Sequence, residues 1–106
     1  MFALVVRFDL TDESAAAEFD ALVERTARGI ATEPGTLIYA VHTVNDEPLA
    51  RIFYELYSDR GGFDAHNAQP HTKQFLAERE QYLSATRVEF LGVDAIRSKG
   101  VAEAGS

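Results

Sequence analysis

Residues 64–75, DAHNAQPHTKQF, carry two of the chain's three histidines, His66 and His71, with Pro70 between them. An imidazole can serve as base, hydrogen-bond partner or metal ligand near neutral pH. As metal ligands the pair is poorly spaced. The two are five residues apart across a proline, whereas two ligands on one helix stand three or four apart, as in H-E-x-x-H. A third ligand would have to come from His42 or Glu55, and nothing in the sequence requires it, so no metal site is expected. On spacing alone, His66 and His71 read as helix-end residues bonded to carbonyls or water, and His42 as an ordinary strand residue. Strand periodicity adds a second possibility. Phe53, Glu55 and Tyr57 alternate, so they share one face. If that face looks towards the helices, it meets Phe63, His66, His71 and Phe75. The result is an aromatic pocket holding one carboxylate and one or two imidazoles, which describes a small-molecule site with groups for proton transfer. The same residues also fit a plain core, with Glu55 paired to Arg51 or to a helix donor.

The elements that must position these residues follow from periodicity. Residues 2–10 alternate Phe2, Leu4, Val6, Phe8, Leu10 with Ala3, Val5, Arg7, Asp9, which is a strand pattern. Thr11, Asp12 and Glu13 offer a helix cap and an acidic first turn. Phe19, Leu22, Val23, Thr26 and Ile30 then recur at helical spacing, predicting an amphipathic helix over 13–32, weakened by Gly29 and stopped by Pro34-Gly35. TLIYAVHTV (36–44) and ARIFYELYS (50–58) predict two strands joined through Asn45, Asp46, Glu47 and Pro48. A short helix is expected around 60–68. A second starts at Pro70, where proline suits the first turn. In it Phe75, Leu76, Arg79, Tyr82 and Leu83 share a face. TRVEFLGVDAI (86–96) is the last strand, and 98–106 a frayed polar tail.

The order β-α-β-β-α-β defines an α+β, ferredoxin-like fold: one antiparallel four-stranded sheet with helices on one face. The domain is expected over 2–97. Ile52, Tyr54 and Leu56 point away from Phe53 and Tyr57, so both faces of the third strand are apolar. A large exposed apolar face is rare on a soluble monomer, and a second copy's sheet would cover it. A homodimer is therefore expected.

Composition narrows the function. The chain has 106 residues, 46% hydrophobic, enough for one core but not for a separate cofactor domain. There is no cysteine, which excludes disulfides and thiolate chemistry and fits a reducing cytoplasm. The net charge of −7 without a Lys/Arg cluster argues against nucleic acid. No apolar run reaches the roughly 20 residues that span a bilayer.

Three stretches, EPGTLIYAVH, FYELYSDRGGFDAH and QPHTKQF, resemble the antibiotic biosynthesis monooxygenase family over roughly residues 2–97. The most specific part runs from Y-E-x-Y through A-H-x-x-x-P-H. The resemblance implies a dimeric α+β barrel with a pocket between sheet and helices in each protomer. It places family site positions on Phe53, Glu55, Tyr57, Phe63, His66 and His71. His66, then Glu55 and His71, are the implied catalytic set, with Phe53, Tyr57, Phe63 and Phe75 as walls. It implies a cofactor-independent monooxygenase that joins a small quinol-like substrate to molecular oxygen. Haem-degrading relatives use an Asn, Trp and His set, and this chain has no tryptophan. The family also holds an isomerase type. That reading would need a cationic phosphate clamp, with Arg7, Arg51 and Lys73 as candidates. A non-catalytic small-molecule-binding dimer is the third alternative.

Overall fold

A computed structural model describes residues 1–92. The chain forms β1 (Phe2–Leu10), α1 (Glu13–Ile30), β2 (Thr36–Val44), β3 (Glu47–Tyr57), α2 (Arg60–Ala68), α3 (Pro70–Glu78), a 3-10 turn (Arg79–Tyr82) and β4 (Leu83–Phe90). The strands lie in the order β2-β3-β1-β4, each pair antiparallel. This is the ferredoxin-like α+β arrangement expected from the element order.

Local chemistry sets the breaks. Asp12 caps α1, accepting a hydrogen bond of 2.8 Å from the Ala15 amide. Asp59 caps α2 in the same way through Gly62 N, also at 2.8 Å. Gln69 is extended and Pro70 opens α3, so one helical stretch becomes two. The β2–β3 turn is tighter than expected. It needs only Asn45 and Asp46, with Asp46 in the left-handed region at φ 65°, and Glu47 and Pro48 belong to β3. Proline is tolerated there because β1 pairs with β3 only from Ala50 onward, so no partner asks for the missing amide. Strand β4 starts at Leu83, three residues earlier than expected, directly on the 3-10 turn. Residues 93–96 of the expected strand and the expected tail over 98–106 lie outside the described residues.

The helix-facing side of the sheet holds the core. Leu4, Val6, Phe8 and Leu10 of β1 pack with Phe19 and Leu22 of α1, Phe53 and Tyr57 of β3, and Phe75 of α3. Phe8 meets Phe53 edge to face, with ring centres 4.9 Å apart. Each such pair adds about 0.5–1.5 kcal/mol beyond area burial. Arg51 also points to this side and is buried, its guanidinium held by both oxygens of Asp20 at 2.9 Å. Glu55 therefore does not pair with Arg51. Val5, Ala40, Ile52 and Tyr54 on the opposite side stay only half-buried, and Ile38 is exposed. Among the described residues, no helix is long and apolar enough to cross a membrane.

Candidate active site

The site begins with a close approach of two backbones. The turn after α1 carries Gly35, and the first turn of α2 carries Gly62. A Cβ on Gly35 would stand 2.8 Å from Gly62 Cα, so neither position leaves room for a larger residue. Ser58 N donates to Gly35 O at 2.9 Å and fixes the contact. This brings Glu33, in the same turn, against α2 and α3.

Glu33 is the centre of a network that sequence reasoning did not include. Its side chain is 5% exposed. Oε1 accepts from Thr36 Oγ1 at 2.6 Å and from His66 Nδ1 at 2.7 Å. Oε2 contacts His71 Nε2. Burial alone would raise the Glu33 pKa, but the bonds from Thr36, His71 and His66 outweigh it and hold the carboxyl below its ordinary value. Glu33 is thus an anion at neutral pH and can only accept hydrogen bonds. Its position therefore puts a proton on Nδ1 of His66 and leaves Nε2 of neutral His66 with a free lone pair.

That Nε2 faces Glu55, at 3.9 Å from Oε1. Glu55 Oε1 accepts from the Tyr57 hydroxyl at 2.5 Å. Burial raises the Glu55 pKa, partly opposed by the Tyr57 bond and the nearby His66. The two carboxylates thus diverge: Glu33 is kept charged and Glu55 is pushed towards the neutral acid. Burial likewise raises the pKa of Tyr39 and Tyr57. The two tyrosine rings flank the imidazole, with centres 5.9 and 5.3 Å from that of His66.

His66 and Glu55 border a cavity of about 150 Å³ between sheet and helices, walled by Phe53, Phe63 and Phe75 among others. Five of the seven expected site residues meet there. Two do not. Tyr57 is fully buried behind Glu55 and holds that carboxyl instead of forming a wall. His71 lies on the far side of Glu33, its ring so close to Gly29 that a Cβ there would overlap it. Gly29 thus serves packing of His71 as well as marking the end of α1. Arg79 and Thr72 line the cavity and were not expected there. Arg79 was recognisable as sharing a helix face with Phe75, while Glu33 gave no signal, since its role depends on a turn meeting two helices. Among the described residues, no group of three or more His, Cys, Asp or Glu is placed to hold a metal ion. The cations considered for a phosphate clamp are elsewhere: Arg7 is held between Asp9 and Glu47, Arg51 pairs with Asp20, and Lys73 is exposed.

A ferredoxin-like domain enclosing an aromatic cavity with a carboxylate-oriented histidine is the class that this geometry defines. Residues 1–78 match the sequence model of the family described as antibiotic biosynthesis monooxygenase, and the chain belongs to that family. Solved structures share the fold. One, described as an antibiotic biosynthesis monooxygenase, is 19% identical with a TM-score of 0.81, over 92% of this chain and all of its own. Rv0793 from Mycobacterium tuberculosis is 22% identical with a TM-score of 0.81, over 94% and 98%. A conserved protein from Methanosarcina mazei Go1 is 20% identical with a TM-score of 0.79, over 85% and 89%. No protein of curated function matches the sequence.

Proposed function

We propose that the protein is a cofactor-independent monooxygenase that oxidises a small hydroquinone-type substrate with molecular oxygen. The observation that carries this reading is the Glu33–His66 pair, which leaves an imidazole lone pair on the Glu55 side of the aromatic cavity. His66 Nε2 removes a phenolic proton. The charge that develops on the imidazole is stabilised by Glu33 through Nδ1–H, as a carboxylate supports histidine in other acid–base systems. The resulting phenolate is electron-rich enough to pass an electron to oxygen. Recombination of the two radicals forms a C–O bond at the ring, and loss of water leaves a carbonyl. The balance is hydroquinone plus O2 giving hydroxyquinone plus water. The substrate supplies all four electrons, so no flavin or metal is required for the step. Glu55, its pKa raised by burial, can donate a proton to the departing oxygen. His71, on Glu33 and partly open to solvent, offers the proton a way out.

The working unit in this reading is a homodimer. The sheet face turned away from the helices presents Val5, Ile38, Ala40, Ile52 and Tyr54, an apolar surface that a second sheet would cover.

Oxygen consumption by purified protein, freed of metal and given no cofactor, tests the reading with single-ring hydroquinones as substrates. Uptake above the spontaneous rate is expected, falling about 10²–10⁴-fold in His66→Ala, the usual contribution of a general base. Conversion of a phosphorylated carbonyl compound under nitrogen, without any oxygen uptake, would instead support an isomerase.

A further inference from the structure

Two groups on the cavity wall have hydrogen-bonding capacity that the protein leaves unused. Thr72 is 3% exposed, and its hydroxyl has no partner among the described residues. Arg79 Nε is likewise closed to solvent and without a hydrogen-bond partner there. Its ionic contact with Glu80 Oε1, at 3.7 Å, is too long for a hydrogen bond. The guanidinium rests on the rings of Phe8 and Phe75, 5.1 and 5.7 Å from their centres, which holds it against the cavity. Both residues border the same space as His66 and Glu55. Buried polar groups in native proteins are almost always matched, so two unmatched ones on one cavity point to a ligand that matches them.

The rest of the cavity limits that ligand. A volume of about 150 Å³ is the size at which an engineered apolar cavity accepts benzene. One ring fits, and a fused tricycle does not. Leu4, Val6, Phe53 and Phe63 supply apolar and aromatic walls. Among the described residues, Arg79 is the one Lys or Arg that borders this cavity, and its planar fork matches a carboxylate. A phosphate dianion is served worse, with one cation among the described residues and Glu55 as a neighbour.

We propose that the cavity selects a single-ring aromatic carboxylate, its ring against Phe53 and Phe63 and its carboxylate on Arg79 and Thr72. This rests on reading the cavity as the substrate site, and it deepens the proposed function to a hydroquinone that bears a carboxylate. The raised Glu55 pKa helps, since a neutral acid does not repel the incoming anion. Thr72 adds a hydroxyl donor to one carboxylate oxygen.

Titration calorimetry under nitrogen with benzoate, its neutral isostere benzamide, and inorganic phosphate tests the proposal without turnover. Benzoate is expected to bind at least tenfold more tightly than benzamide. Arg79→Met should remove that preference, weakening benzoate much more than benzamide. Should loss of the Arg79 stacking unfold that variant, the isosteric Thr72→Val is expected to weaken benzoate about threefold, and unchanged benzoate affinity would overturn the Thr72 contact. Equal affinity for the two ring compounds, or tighter binding of phosphate than of benzoate, overturns the proposal. The outcomes separate from those of the oxygenase reading. Oxygen uptake with uncharged hydroquinones alone sinks the carboxylate inference only, while benzoate binding with no oxygen uptake sinks only the oxygenase.

Discussion

Replacing Glu33 by glutamine keeps the shape of the site and removes its charge, and the structure sets the size of the effect. Glu33 accepts three hydrogen bonds while 5% exposed. A glutamine carbonyl can still accept from Thr36 and one imidazole. Its amide nitrogen is a donor and cannot accept from the other. One charge-assisted bond is lost and one buried donor must turn or go unmatched, at about 1.5–3 kcal/mol for a bond to a charged group. We expect Glu33→Gln to lower stability by about 2 kcal/mol at pH 7, or the melting temperature by roughly 10 °C for a domain of this size. The pH dependence has a definite sign. The Glu33 pKa is lowered in the folded state, so its contribution is present above the unfolded value and lost as pH falls through the folded one. The gap between wild type and variant should therefore close below about pH 4.5, near the carboxyl's ordinary pKa. Turnover should fall as well. Thr36 and His66 share Oε1, so the glutamine carbonyl stays on His66 Nδ1, but a neutral amide no longer stabilises the imidazolium that forms when Nε2 takes the proton. Urea unfolding from pH 3 to 8 and oxygen uptake at saturating hydroquinone check both parts. A variant with wild-type turnover and a wild-type pH–stability curve would refute the role given to Glu33.

Three further outcomes follow from the same geometry. Gly29→Ala should destabilise the protein by about 1 kcal/mol, because displacing His71 from Glu33 outweighs the ~1 kcal/mol that alanine adds to a helix; a gain in urea midpoint would contradict this. Glu55→Gln should raise the urea midpoint at pH 7, because the folded pKa of Glu55 is raised and ionising it opposes folding at higher pH. That gain should shrink towards pH 4.5, and a gain that grows on acidification would be the wrong sign. Light scattering should give twice the 11.7 kDa chain mass, and a monomer would remove the argument drawn from the half-buried sheet face.

The sequence made the strands and helices legible because their signals are local. Alternation in β1, the Asp12 cap and Pro70 each act within a few residues. It also brought Phe53, Glu55, Phe63, His66 and Phe75 to one place, since a period of two and an expected fold are enough to do so. What it did not show are contacts between segments far apart in the chain. Glu33 reaches His66 and His71 only because Gly35 and Gly62 let a turn touch a helix. Tyr57 shares a face with Glu55, yet its hydroxyl turns along the strand to that carboxylate instead of towards the cavity. The start of β4 is not legible because the 3-10 turn ends one residue before Leu83, and a short polar turn leaves no periodic mark.

The central claim is that His66, oriented by Glu33, starts a reaction between substrate and oxygen inside the cavity. Turnover of a single-ring hydroquinone under isotopically labelled oxygen, by wild type and His66→Ala, tests it most directly. One labelled oxygen atom is expected in the hydroxyquinone and one in water, with loss of the enzymatic rate in the variant. Product without label, or labelled product formed equally fast by His66→Ala, would contradict it.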